Sequence, residues 1–274
     1  MEIDKIYNED CLVGMKIISD ESIDCVVSDV PYLLVGGGCS EGEYRTAKGH
    51  KQPSGIMNRQ RSYIKIAGNE HGHTLAAGTK HINLGGCMND AVEDVRAGKM
   101  FAHNDIKFSD WLPEVYRVLK PNTHCYLMIN SRNLKDLQTE AEKVGFKFQN
   151  LLVWDKGNGT PNKFYMQCLE FILLLRKGGE RWINDMGSKN ILRTPNIIGD
   201  KLHPTQKPVS LMRHMIENST DRGDIVLDPF MGSGSTAIAC VQAERHYIGY
   251  EIDPQYYEVA QNRLRNETRQ LLLF

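Results

Sequence analysis

At 274 residues, 41% of them hydrophobic and 24% charged, the chain is long enough to bury a sizeable core and has neither a disordered nor a fibrous composition. A formal net charge of −1 identifies no polyanion binder from the whole chain, so charge is informative only locally. No apolar run approaches the roughly 20 residues of a membrane span, Met1 to Asp10 lacks the pattern of a signal peptide, and seven cysteines without a C-x-x-C pair suit a reducing compartment, so a cytoplasmic protein without membrane contact is expected.

The first predicted element is the apolar run Ile23 to Val27, short and β-branched as a buried parallel strand should be, followed by Ser28-Asp29-Val30-Pro31-Tyr32. Tyr32 to about Asp105 is irregular, glycine-rich and too long for a simple connection. Within it, Tyr44 to Asn69 carries no acid and six cations, Arg45, Lys48, Lys51, Arg59, Arg61 and Lys65, a composition suited to tracking phosphates. Phe108, Trp111, Leu112, Val115, Tyr116 and Leu119 form an amphipathic helical pattern closed by Pro121-Asn122, and Cys125 to Ile129 reads as a strand. A helix over Leu134 to Val144 stops at Gly145, and strands follow at Phe148 to Trp154 and Phe171 to Leu175. Arg181 to Leu202 is polar and broken by Pro195, and Pro208 to Asn218 is helical. The chain closes with a strand at Ile225 to Leu227, a helix from about Ser235 to Ala243, a strand at Tyr247 to Tyr250 and a helix from about Pro254 to Asn266. This alternation predicts an α/β fold, a doubly wound and largely parallel sheet in one domain, with 33–105 as an inserted loop region.

Two loops fall at predicted strand ends, where open α/β sheets place their ligands. In the later one, Asp228-Pro229-Phe230-Met231-Gly232-Ser233-Gly234-Ser235-Thr236, the glycines allow close approach of backbone to a ligand. Glu251 follows 23 residues after Asp228, at the end of the next strand, where a carboxylate can accept from ribose hydroxyls. A nucleoside-containing cofactor is implied. Gly232 to Ala237 also fits the loose G-x-G-x-x-A dinucleotide pattern, which keeps a nicotinamide reading open. Against it, an anion at Asp228 would repel a pyrophosphate and suits a cationic ligand such as S-adenosylmethionine.

The earlier loop supplies what a dehydrogenase does not need. The exocyclic amine of adenine or cytosine is a poor nucleophile because its lone pair is delocalised into the ring. Two acceptors holding its hydrogens would draw the nitrogen toward tetrahedral geometry; the Asp29 carboxylate and the Val30 carbonyl are the candidates, with Tyr32 stacked on the base and Pro31 fixing the turn. Nitrogen, methyl carbon and sulfonium sulfur would then be aligned for direct displacement, on a base extruded from the duplex.

These residues together resemble the DNA amino-methyltransferases, the N6-adenine and N4-cytosine methylases, of the permuted beta group in which the catalytic motif precedes the cofactor motif. The resemblance includes Asn8-Glu9-Asp10-Cys11-Leu12, Arg117-Val118-Leu119-Lys120-Pro121 and Val153-Trp154-Asp155-Lys156-Gly157-Asn158. Its most specific parts are His203-Pro204-Thr205-Gln206-Lys207-Pro208, Asp228 to Thr236, and Ile248-Gly249-Tyr250-Glu251. It implies that Asp29, Val30, Pro31 and Tyr32 form the catalytic loop. It further implies that Asp10, Asp29, His203, Thr205, Lys207, Asp228, Phe230, Gly232, Gly234, Ser235, Thr236 and Glu251 hold S-adenosylmethionine.

Asp at the head of the catalytic motif resembles the adenine branch, which makes N6 of adenine in DNA the expected acceptor and N4 of cytosine the alternative. The family usually has Pro where this chain has Val30, so a relative that binds nucleic acid without turnover is a further alternative. More distant acceptors are RNA and a protein glutamine amide. The six cations after Tyr44 are the candidate DNA-binding residues, and 178–202 is a candidate target-recognition segment. His71, His73, His81 and Cys87 match no zinc spacing, and no metal is expected. A homodimer contact at Leu271-Leu272-Leu273-Phe274 and a partner restriction nuclease are possible associations.

Overall fold

The computed structural model describes residues 2–31, 106–160, 165–197 and 206–271, and these belong to one compact unit. The insertion 33–105 with its six cations and its histidines, Tyr32, His203, Thr205 and the end of the apolar tail lie outside the described residues.

Eight strands form one sheet in the order β1-β8-β7-β2-β3-β5-β4-β6. They are β1 (Lys5–Tyr7), β2 (Ile23–Asp29), β3 (Leu119–Ile129), β4 (Lys147–Thr160), β5 (Gln167–Lys177), β6 (Ile191–Arg193), β7 (Ile225–Asp228) and β8 (His246–Tyr250). The block from β1 to β3 is parallel throughout, β5 runs antiparallel to both β3 and β4, and β6 returns parallel to β4. The helices are α1 (Cys11–Gly14), α2 (Phe108–Val118), α3 (Leu134–Val144), α4 (Val209–Ser219), α5 (Ser235–Gln242) and α6 (Pro254–Leu271).

Strand periodicity divides the core into two layers. Tyr126, Met128, Ile172 and Leu174 point to one face with α4, α5 and Leu264 of α6. Cys125, Leu127, Leu173 and Leu175 point to the other, with Met15, Trp111 and Leu112 of α2, and Leu137 and Ala141 of α3. The buried set Trp111, Leu112, Val115 and Val118 is the inward stripe of α2. Helix α3 ends where Gly145, at φ 119°, turns its N–H back onto the carbonyls of Ala141 and Glu142.

This winding positions the site. β2 and β7 are neighbours, yet α2, the first described helix after β2, packs on one face and α5, which follows β7, packs on the other. The crevice at their carboxyl ends is the sheet's topological switch point. The opposite, amino ends of these strands are tied by Asp24, whose carboxylate accepts from Lys120 Nζ at 2.5 Å and from the Ile225 N–H at 3.0 Å.

The predicted α/β alternation is present, with three differences. Strands β1 and β6, each three residues long, and the four-residue α1 are too short to carry periodicity. Strand β3 begins at Leu119, so Pro121 and Asn122, read as a helix stop, lie inside it. Asn122 sits at φ 60° and its Oδ1 accepts from Gly179 N–H at 2.6 Å, a tie to the chain just past β5 that is invisible to local pattern. Third, β4 and β5 extend well beyond their apolar centres, to Thr160 and from Gln167.

Candidate active site

Asp29 is the last residue of β2, and its side chain is 22% exposed. One oxygen, Oδ2, accepts from Lys207 Nζ at 2.5 Å. The same ammonium lies 3.5 Å from Glu170 Oε2, and the other oxygen of Glu170 accepts from Lys156 Nζ at 3.1 Å. Four charges from four separate elements thus alternate in sign: Asp29 on β2, Lys207 before α4, Glu170 on β5 and Lys156 on β4. Burial pushes the Asp29 carboxyl up from its ordinary value; Lys207 pulls it down and Glu170 pushes it up further. Val30 is 2% exposed, its side chain packed in the apolar layer that includes Trp111 and Leu227, so the replacement of the usual proline is a core residue. Pro31 is partly exposed at the edge of the crevice.

The glycine turn lies across the crevice. Gly232 and Gly234 have φ of 54° and 82°, the left-handed conformation that side chains disfavour. A Cβ on Gly234 would also stand 3.0 Å from the Cβ and 3.2 Å from the Cα of Ala260 on α6. The turn's outer anchor is Glu251, immediately past β8, where Oε2 accepts from Gly232 N–H and Oε1 from Asp253 N–H, each at 2.8 Å. Burial raises its pKa against the pull of those two N–H groups.

Asp228, expected to line the cofactor, is only 3% exposed and engages both oxygens within the chain. Oδ1 accepts from Ser28 Oγ at 2.6 Å and from Phe230 N–H at 3.0 Å, and Oδ2 accepts from Thr236 Oγ1 at 2.6 Å. Burial is the main cause that pushes its pKa up to about 6, against those three donors. Thr236 is therefore directed at Asp228, and Ser235 Oγ donates to the Lys207 carbonyl at 2.8 Å, which fastens the segment before α4 to the start of α5. Asp10 caps α1 through Leu12 N–H at 2.8 Å, and Phe230 meets Trp111 edge-on with ring centroids 5.2 Å apart.

Two participants, Glu170 and Arg263, escape motif reading, and Lys156 stands in a stretch of the resemblance, Val153 to Asn158, to which no role is assigned. The one hint of Glu170 is an acid directly before the run Phe171 to Leu175. Arg263, on the inner face of α6, donates to the Ser233 carbonyl and, at 3.0 and 3.3 Å, contacts Ser233 Oγ and Ser235 Oγ, bracing the turn from behind. Further out, residues of the candidate recognition segment and β4, namely Asn150, Ser188, Lys189, Asn190, Ile191 and Arg193, line an open groove of about 470 Å³. Trp182 and Met186 in that segment are 75% and 70% exposed. Among the described residues no cluster of three His, Cys, Asp or Glu is arranged to hold a metal, and no helix is long and apolar enough to cross a membrane.

An acid at the tip of β2 thus stands beside the strand that leads into an acid-anchored glycine turn. A DNA methylase family model covering N6 and N4 methyltransferases matches residues 23–262, nearly the whole described sheet. The chain belongs to this DNA methylase family. Type II methyltransferase M2.MboI of Moraxella bovis is 25% identical, with 97% of this chain and 91% of that protein aligned. M.HpaI of Haemophilus parainfluenzae is 30% identical over 59% of this chain and 60% of its own length. Among solved structures, the M1.HpyAVI complex with SAM superposes with a TM-score of 0.61 at 23% identity, covering 94% of this chain and 98% of that one. The cytosine-N4-specific PvuII methyltransferase superposes at 0.63 and 16% identity, over 94% and 85%. These two likenesses establish the methyltransferase fold of this methylase.

Proposed function

We propose that this DNA methylase transfers a methyl group from S-adenosylmethionine to the exocyclic N6 amine of adenine in DNA, on a base rotated out of the duplex. The observation that carries the reading is the placement of Asp29 at the tip of β2, next to the strand that leads into the glycine turn.

The residues fit the donor. A cationic sulfonium suits a crevice bordered by Asp29 and Glu251, and Gly232 and Gly234 keep Cβ atoms out of the turn that Glu251 anchors. Glu251 uses one N–H on each oxygen, and each oxygen retains a lone pair for a ribose hydroxyl. Bound there, the donor supplies an electrophilic methyl carbon. Asp29 accepts an amine hydrogen and draws the nitrogen lone pair out of conjugation. That pair forms the new N–C bond as the C–S pair returns to sulfur, and the nitrogen then sheds a proton toward the Asp29 carboxylate or water. Tyr32 and the backbone at Val30 complete the grip on the base. Positioning and a preorganised acceptor provide most of the acceleration.

The acid at the head of the catalytic motif supports adenine over cytosine. For target reading, the groove beside β6 with Lys189 and Arg193 supports a role for 178–202, and the six cations from Arg45 to Lys65 support phosphate contact. Incubation with tritiated S-adenosylmethionine and DNA, followed by digestion to nucleosides, tests this. Label in N6-methyladenosine, absent with Asp29→Ala, is the expected result. Label in N4-methylcytosine would overturn the choice of base, and binding of the donor without label on any DNA would overturn the reading as an active DNA enzyme.

A further inference from the structure

The ammonium of Lys207 stands against the carboxylate that must accept the amine. A lysine held only by Asp29 would saturate the acceptor: a close ion pair in a buried site lowers the basicity of the oxygen and resists its rotation toward another donor. The structure provides a second seat. Glu170 Oε2 lies 3.5 Å from the same ammonium, against 2.5 Å for Asp29 Oδ2, and Glu170 is itself fastened through its other oxygen to Lys156. Lys207 is 7% exposed, its backbone is tied to Ser235, and among the described residues its ammonium meets these two acids.

We propose that Glu170, anchored by Lys156, is a positioning residue for methyl transfer: it shares with Asp29 the Lys207 ammonium that favours the ionised acceptor, and by drawing that ammonium toward itself it leaves the Asp29 carboxylate able to turn to the incoming amine. The inference rests on the reading of Asp29 as the amine acceptor. In it, Lys207 moves toward Glu170 as the base enters and returns as the product leaves. No covalent bond of the protein changes, and charge is conserved because the quartet holds two acids and two ammonium groups. It also accounts for a charged pair, Lys156 with Glu170, held just beyond the apolar centres of β4 and β5, where side-chain exposure is only 15% and 21%.

Among the described residues, the charged groups facing Asp29 are Lys207 from the segment before α4, Glu170 from β5, with Lys156 of β4 behind it, and Asp228 from β7. The two nearest have opposite signs, and this makes the proposal testable. Asp29 is raised by burial and by Glu170 and lowered by Lys207. Removing the acid therefore lowers its pKa, and removing the ammonium raises it. In Glu170→Gln the acid limb of kcat/KM should move to lower pH, and in Lys207→Met to higher pH. At neutral pH, Glu170→Gln should reduce kcat by roughly ten- to a hundredfold with KM for DNA little changed, since the interaction acts on the acceptor and not on the bound ground state. Glu170→Asp should restore part of the rate.

The experiment compares these variants with Asp29→Asn, using far-ultraviolet circular dichroism to certify folding. The carboxyl titration of Asp29 is followed by 13C NMR of aspartate-labelled protein, which reads the same shifts without turnover. Opposite shifts with a loss in kcat support the proposal. Shifts of the same sign, or no shift in Glu170→Gln, would overturn it. Full activity of Asp29→Asn would instead overturn the reading of Asp29 on which it rests. A Glu170→Gln protein that is merely unstable, with an unmoved Asp29 titration, would reduce Glu170 to a structural ion pair.

Discussion

Two aspartates end neighbouring strands of the same sheet, and the protein uses them in opposite ways. Asp228 on β7 is met by three uncharged donors, Ser28, Thr236 and the Phe230 amide, and is 3% exposed. Asp29 on β2 is 22% exposed and is met by one ammonium shared with another acid. Fixed dipoles aimed at both oxygens hold a carboxylate in one orientation. An ammonium shared between two acids holds the carboxylate's charge without fixing both its oxygens. The first arrangement ties β2, β7 and α5 into one frame, and the second leaves an acceptor whose hydrogen bonds are available for exchange.

Neutralising each acid separates these roles most sharply. Asp29→Asn should cut methyl transfer about a thousandfold, the scale of losing one essential acceptor, with an unchanged melting temperature; a comparable loss in a well-folded Asp228→Asn that still binds the donor would erase the distinction. Next in size, Asp228→Ala should lower unfolding stability in urea by about 3 kcal/mol, because two hydroxyls and an amide lose their buried acceptor. The denaturant slope should be unaltered, and a change under 1 kcal/mol would mean that the frame does not depend on this carboxylate.

The same residue carries a pH signature of similar size. Its folded pKa of about 6 lies above the ordinary 3.8, so the folded protein binds the extra proton between those values. Stability linked to that proton is full below about 4 and is lost as pH rises through about 6, on the order of 3 kcal/mol in all. The difference in stability between the wild type and Asp228→Asn should follow that slope, and a flat difference across pH 4 to 7 would contradict the burial argument. Smallest, Gly234→Ala should cost about 1 to 2 kcal/mol, from the left-handed backbone and the approach to Ala260. Donor affinity, measured by calorimetry, should fall with it. Unchanged affinity would show that the turn tolerates displacement without disturbing the site.

Much of this comparison was legible before any coordinates. The runs Ile23 to Val27 and Ile225 to Leu227 marked their strands because buried parallel strands are continuously apolar, and Asp29 and the glycines followed as loop residues at their ends. The helix over Leu134 to Val144 was recovered with its glycine stop because its stripe and its cap are both local. Short elements such as β1 and β6 carry too few residues for a period, and they exist because a long neighbour offers its edge. Asp228 reads from sequence as an acid at a strand tip, and the hydrogen bonds that its two oxygens accept from Ser28, Phe230 and Thr236 are not legible there.

The order of strands and helices along the chain, the two loops and the residue types that chemistry on an amine requires are all written in spacing within a segment. Which charges meet is settled by the folded sheet. Asp29, Lys156, Glu170 and Lys207 lie on four elements, and nothing local to any of them records a distance to the others. Sheet order placed β2 and β5 on either side of β3 and brought the segment before α4 over them, and burial then made their pairing obligatory, because a charge withdrawn from water is stable only beside its opposite.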